Sequence, residues 1–157
     1  MNVLISPEQV VRLAFAPDDY LPSELIAEAD IAAAAERYLF PVIGRELYDR
    51  LMMETNRSFV DQYLAAPLAF YTRLLVQPRL DIRTGRCGTT APKLDGATPA
   101  TEEARRSLRN SLRREARELL LRAVARIEER ADDYPEYDPK KNVLKRCTLD
   151  GKLVQIR

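Results

Sequence analysis

Apolar positions along this chain recur at spacings of three and four, the period of an amphipathic helix, with polar residues filling the intervals. The first such face is Val10, Val11, Leu13, Ala14 and Phe15. Ahead of it, Ser6-Pro7-Glu8-Gln9 reads as a helix start: a serine cap, proline at the first helical position, and a glutamine placed to reach back. This run ends before Pro17. After a turn at Asp18-Asp19-Tyr20-Leu21-Pro22, Ser23 is expected to cap a second helix carrying Leu25, Ile26, Ala29, Ala32, Ala33 and Leu39. Its alanines, Ala32 to Ala35, offer a surface that a neighbouring backbone can approach closely. Pro41 is expected to restart the helix, with Ile43, Leu47 and Leu51 at i, i+4, i+8 and Val42 and Tyr48 beside them. Ser58 caps a further run through Phe59, Val60, Tyr63 and Leu64. Pro67 lacks an amide hydrogen and should kink or restart that run, which Leu68, Tyr71, Leu74 and Leu75 carry on to Pro78.

Residues 78–99 change character. Pro78, Gly85, Gly88, Pro92, Gly96 and Pro99 break any period, and so long a polar stretch between two helical blocks reads as an arm or contact loop, or as disorder. The longest element follows. Thr101 is a cap, Glu102 and Glu103 suit the positive end of a helix dipole, and Leu108, Leu112, Leu119, Ala123, Ile127 and Ala131 form a stripe uninterrupted until Pro135. About thirty-three residues at a rise of 1.5 Å give roughly 50 Å. A compact domain of this length is about 40 Å across, so the helix should bend or project, and a projecting helix needs another subunit to lie against.

The tail turns to β signals. Asp150-Gly151 is a type I′ hairpin turn, which would pair Leu149 with Lys152, Cys147 with Val154 and Lys145 with Ile156. Val143, Cys147, Leu149, Val154 and Ile156 would then share one apolar face. A lone two-stranded hairpin is marginal in water, so this one should pack on the helices or add to strands of a partner. The expected fold is therefore mostly α: short N-terminal helices packed on one long helix, a long central loop, and a C-terminal β-hairpin tail. Residues 1–135 form a single helical domain and 136–157 the tail.

Composition prunes the functions. The chain has 157 residues, of which 46% are hydrophobic and 31% charged, and it contains no histidine. That excludes Ser-His-Asp and Cys-His nucleophile systems, His-ligated zinc and imidazole acid–base chemistry. Cys87 and Cys147 have no metal-type spacing, and no apolar run reaches bilayer length, so a soluble protein in a reducing compartment is expected, without signal peptide or membrane partner. The acid pairs Asp18-Asp19, Glu128-Glu129 and Asp132-Asp133 suit turns and surfaces, since adjacent helical residues point apart. No catalytic residue, metal site or cofactor is expected, which leaves a non-enzymatic protein that holds others together.

Charge is near balance overall at +1 but uneven: residues 1–63 hold eleven acids and five bases, and residues 64–157 thirteen acids and twenty bases. An acidic front and a basic back allow copies to meet head to tail, in contacts that close into rings when the rotation permits; folding could equally interleave the halves and cancel the asymmetry. The basic excess peaks at Arg105, Arg106, Arg109, Arg113, Arg114 and Arg117, with Arg106, Arg109, Arg113 and Arg117 on one face opposite the leucines. That face could contact nucleic-acid phosphates, pair with acids of a neighbouring subunit, or stand in solvent with ordinary pairs such as Glu118 with Arg122.

One stretch goes beyond periodicity: Tyr38-Leu39-Phe40-Pro41-Val42-Ile43-Gly44-Arg45-Glu46-Leu47-Tyr48-Asp49-Arg50-Leu51. A helix ending in Tyr-Leu-x-Pro, followed by x-Ile-Gly-x-x-Leu-Tyr-x-x-Leu, resembles head–tail connector proteins of tailed phages and prophages, in particular the small versions encoded beside portal and capsid genes. The Leu4-Ile5-Ser6 start, the Pro67-Leu68-Ala69 restart and the order of short helices, loop, long helix and tail extend the resemblance loosely over residues 4–135. It implies a helical adaptor forming a ring of about a dozen copies below the portal at the capsid vertex. It also implies a platform for tail or stopper proteins and a location at the virion head–tail interface, with the host cytoplasm occupied during assembly. Passing DNA would be touched only weakly and without sequence preference. The partner-binding residues would be Arg106, Arg109, Arg113 and Arg117, with Val143, Cys147, Leu149, Val154 and Ile156 from the tail. The rival reading is a helical nucleic-acid-binding regulator using the Arg face; a small enzyme would have only carboxylates, lysines and arginines to work with.

Overall fold

Ser6 opens the first helix as its neighbours require: its Oγ accepts from the Gln9 amide at 3.3 Å, and Gln9 Oε1 accepts from the Ser6 amide at 2.8 Å. This computed structural model describes residues 3–17, 19, 21–55, 57–85, 88–90, 99–149 and 152–155. The chain is mostly α-helical. Helix α1 (Pro7–Ala14) buries Val10 and Ala14. Ser23 does not cap α2; it opens a 3-10 turn, Ser23–Leu25, that leaves Leu25 exposed and turns Ile26 inward. Helix α2 (Glu28–Ala34) begins later because Asp30 Oδ2 accepts from the Ala27 amide at 2.9 Å, supplying the cap that alanine cannot.

Pro41 and Pro67 each stand in the first turn of the helix they were expected to restart. The α2 helix passes through a π turn, Ala35–Leu39, into α3 (Phe40–Ile43), with Pro41 in its course; another π turn, Val60–Leu64, leads into α5 (Ala65–Asp81), with Pro67 in its first turn. The carbonyls that these prolines cannot bond, four residues back at Arg37 and Tyr63, both lie in π turns, where wider spacing takes up the ring and the missing donor. Pro78, by contrast, does not end α5 as expected, since the helix runs on to Asp81; one missing bond in a last turn is tolerated, and the Ile82 amide closes on the Pro78 carbonyl at 3.3 Å. The true break is Gly44, at φ +84° and ψ 151°, before α4 (Arg45–Met53). That backbone is close to a glycine-only region, and a Cβ there would meet nothing within 4 Å. Gly44→Ala should therefore destabilise by conformational strain alone, about 1–3 kcal/mol. A denaturant midpoint equal to that of the parent protein would show that the turn relaxes freely.

Helix α5 lies at the centre, in contact with α1, α2 and α6 (Glu102–Glu129). It buries Leu68, Ala69, Tyr71, Thr72, Leu74 and Val76 around most of its circumference, which explains its lack of a single apolar stripe. Thr72 is satisfied by donating to the Leu68 carbonyl at 2.8 Å. Ile43, Leu47 and Leu51 all face the core, each 1% exposed or less.

Helix α6 is shorter than the expected thirty-three residues. It has 28, or about 42 Å, close to the breadth of the domain. It ends where Glu128, Glu129, Asp132 and Asp133 would crowd the negative end of the dipole; Arg130 leaves helical geometry and a 3-10 turn, Ala131–Asp133, follows. Its buried face is Leu112, Ala116, Leu120, Ala123, Val124 and Ile127, while Leu119 is only half-buried and Ala131 is exposed.

Beyond α6 the chain straps back over the body. Arg50 holds the strap: it donates to the Asp133 carbonyl at 2.8 Å, meets Glu136 at 3.3 Å and lies over the Tyr134 ring at 5.4 Å. Tyr137 donates to Glu128 and accepts from buried Asn142, both at 2.9 Å, and Lys145 pairs with the same Glu128 oxygen. Tyr134, Tyr137 and Leu144 pack on the core, carrying the packed body past Pro135. Burial, with Glu128 beside it and against the Asn142 hydrogen bond, pushes the Tyr137 hydroxyl up to about 12. An unfolded tyrosine ionises near 10, so between these values the unfolded chain binds fewer protons than the native one and stability falls as pH rises. Tyr137→Phe should flatten that decline in denaturant melts taken from pH 9 to 12; parallel curves for parent and variant would refute the assignment.

The segment after α5 is not wholly irregular. Strands β1 (Arg83–Gly85) and β2 (Gly88–Thr90) pair antiparallel, with Arg83 opposite Thr90. Residues 91–98 of the expected arm lie outside the described residues. At the end of the chain, β3 (Arg146–Leu149) pairs with β4 (Lys152–Gln155), Cys147 opposite Val154 and Leu149 opposite Lys152. Val143 does not join them: it opens a 3-10 turn, Val143–Lys145, and is exposed, because the turn is set by Asn142, whose Oδ1 accepts from the Leu144 amide. Ile156 and the Asp150-Gly151 turn lie outside the described residues.

Candidate interaction surface

The arginine face begins with a well-made helix start. Thr101 Oγ1 accepts from the Ala104 amide at 3.2 Å, and Glu102 and Glu103 occupy the first turn. Four arginines then border an open groove of about 740 Å³: Arg106, Arg113, Arg114 and Arg117, with Glu103, Ser107 and Asn110 completing its described lining. The steps 106, 110, 113, 117 keep these residues on one helical face, over roughly 16 Å of axis. Among the described residues, none of the four arginines has an ion-pair or hydrogen-bond partner. Arg109 is the exception in the predicted set. It turns towards the helix start and pairs with Glu102 at 3.0 Å, and Arg114 takes its place in the groove. The alternative pairing of Glu118 with Arg122 is absent among the described residues; Arg126 with Glu129, at 3.0 Å, is the i, i+3 pair that forms.

At the foot of this face, Tyr38 and Tyr71 stack at 4.2 Å, nearly parallel, and Arg37 approaches Tyr38 at 5.5 Å. Burial, then the Tyr38 neighbour, raises the Tyr71 hydroxyl, while Arg117 and Arg113 act against that rise. Tyr71 is only 4% exposed, so the stack is structure and not a platform for bases.

Folding cancels part of the charge asymmetry and leaves the rest. Asp30 pairs with Arg79 at 2.7 Å and Asp19 with Arg73 at 3.7 Å, so the arginines of α5 are consumed by front-half acids. Burial would raise Asp30, but Arg79 and the Ala27 amide outweigh it and hold its carboxyl below the usual range. Arg73 also lies 4.2 Å over the Phe15 ring and donates to the Ala14 carbonyl. The arginines of α6 receive no such acids among the described residues.

A second surface was not foreseen. Ala32, Glu36 and Phe40 on one helix, and Arg45, Asp49 and Met53 on the next, form two i, i+4, i+8 stripes that flank a groove of about 460 Å³ with Tyr48 and Met52. Phe40 and Tyr48 meet edge to face at 4.9 Å, and Arg45 lies over Phe40 while pairing with Asp49 at 3.5 Å. Met53 stands at its end, 87% exposed. Each stripe is visible in the sequence, but that they face each other depends on the Gly44 turn.

The tail residues are placed by backbone only in part. Cys147 and Val154 are cross-strand partners, Leu149 lies opposite Lys152, and Val143 borders a cleft with Pro41, Gly44 and Lys141. No group of three His, Cys, Asp or Glu side chains that could hold a metal occurs among the described residues, and no helix among them is long and apolar enough to cross a membrane. A family model matches residues 23–146, from the turn before α2 to the first residue of β3. The chain belongs to DUF6712, a family of unknown function. The DUF6712 match takes in both grooves and the strap, and leaves α1 and β4 outside. No curated protein and no solved structure matches the chain significantly.

Proposed function

We propose that this chain is a non-enzymatic head–tail connector of a tailed phage or prophage, an adaptor that assembles with copies of itself and joins the portal to the tail. The observation that carries the reading is the arginine groove of α6: four guanidinium groups on one face of a 28-residue helix, with Glu103 beside them and no ion pair to any of the four among the described residues. Like charges on one exposed helix face repel by about 0.2–0.5 kcal/mol per i, i+4 pair, and acids of a neighbouring subunit would turn that face into a complementary contact. The resemblance around Tyr38–Leu51 supplies the more specific identity, and the mostly helical architecture is compatible with it.

In this reading the action is passive. Complementary surfaces hold the subunits in a ring that extends the portal channel, the C-terminal hairpin docks on the portal or on a neighbour, and the assembled ring receives tail or stopper proteins at the virion head–tail interface. No cofactor takes part, and passing DNA makes only weak, sequence-independent phosphate contacts.

The same groove also favours a second reading, a nucleic-acid-binding regulator, because Ser107 and Asn110 stand among the arginines as phosphate donors would. Co-purification decides between them. A tagged chain recovered from cells expressing its source genome, with its companions identified by mass spectrometry, should bring down portal or tail components. Recovery of nucleic acid in their place, with affinity falling steeply with salt, would support the regulator and refute the connector.

A further inference from the structure

The arginine face carries one feature that a nucleic acid has no use for. Leu121, 40% exposed, stands one turn beyond Arg117 and two beyond Arg114, so the three residues share a helical face. An apolar side chain beside guanidinium groups suits a protein surface with acids around an apolar patch. The groove between α2–α3 and α4 has that composition: Glu36 and Asp49 on its rims, Phe40 and Met52 along it, and Met53 at its end. Glu36 has no ion pair among the described residues. Asp49 has only Arg45, in a pair whose members are 58% and 71% exposed, and exchanging one exposed bridge for another costs little.

We infer that the α6 face of one copy, through Arg114, Arg117 and Leu121, docks in the groove bordered by Glu36, Asp49 and Met53 of a second copy. An amphipathic helix laid along a groove between two helices is an established mode of recognition, with anchors at i, i+3 and i+7. The two patches are different parts of the chain, so the contact is heterologous, and repetition gives a ring if the rotation closes. The inference rests on the proposed self-assembly and names its contact; the identity of the portal partner does not enter it.

The test uses full-length chains in which Cys87 and Cys147 are serine, one carrying Met53→Cys and the other Leu121→Cys. Both sites are exposed, and circular dichroism verifies the fold of each. A short thiol-to-thiol cross-linker should give a two-chain band in the mixture and little in either protein alone. Absence of that band, or equal bands in the separate proteins, overturns the inference. Charge reversal gives an independent reading: Glu36→Arg or Arg117→Glu alone should lower the mass measured by light scattering, and mixing the two should restore it. No restoration overturns the contact. If the parent chain forms oligomers while both experiments fail, the groove is wrong and self-assembly stands. If both succeed and no portal component co-purifies, the contact stands and the connector reading falls.

Discussion

Replacing Arg106, Arg113, Arg114 and Arg117 together by glutamine is expected to leave a folded monomer that no longer assembles. The four side chains contribute nothing to the core: all are exposed, and none is tied to a described residue. Surface substitutions of this kind usually change stability by about 0.5 kcal/mol or less each, and removing four like charges from adjacent turns relieves repulsion. The helix content and the denaturation midpoint should therefore match those of the parent. Assembly should suffer far more, because truncating one member of a buried, hydrogen-bonded charge pair costs about 2–5 kcal/mol, and a few such losses exceed what most subunit contacts can spare. Light scattering should show a change from oligomer to monomer. Arg109→Gln alone should do much less, since Arg109 is held by Glu102. Loss of helicity in the quadruple variant would mean that these arginines hold the fold, and an unchanged oligomer mass would mean that the face is not an interface.

Leu68→Ala should be the most damaging single truncation. Leu68 is fully buried in α5, and α1, α2 and α6 all pack on that helix, so the space it leaves cannot be filled by movement of one neighbour. A loss of about 2–5 kcal/mol is expected for such a site, and a domain of this size loses about 2–4 °C of Tm per kcal/mol. Leu25→Ala is the matched control: Leu25 is 42% exposed in the turn before α2 and should change stability by less than about 0.5 kcal/mol. Thermal and denaturant melts of the two variants check the placement of α5 directly. Equal, small effects would contradict a central α5.

What the sequence conveyed depended on how local the cause was. The capping box at Ser6 and the cap at Thr101 involve groups three residues apart, and both form as read. The stripe Ile43, Leu47, Leu51 was legible because burial on one helical face needs only periodicity. Pro41 and Pro67 restart the helix as read, each in the first turn of α3 or α5 behind a π turn, whereas Pro78 misled, since one missing amide in a last turn does not end a helix. Among Leu119, Leu120 and Leu121 periodicity chose Leu119 for the stripe; tertiary packing instead selects Leu120 for the core, leaving Leu119 half-buried and Leu121 outside. The length of α6 was overestimated because the absence of glycine and proline was read as continuity, while the acids at its end decide where it stops. On the surface, three of the four expected arginines share a groove. Arg109 leaves it for an acid seven residues back, across two turns of the helix, a pairing that i, i+4 rules do not contain. The Met53 groove needed the Gly44 turn, whose φ of +84° no apolar pattern encodes.

Electron microscopy of the purified chain, alone and mixed with the portal protein of its source genome, tests the connector assignment most directly. Closed rings with a central opening, seated on one end of the portal and lost with the four-arginine variant, are the expected result. A chain that stays monomeric and leaves the portal bare at high protein concentration would contradict it.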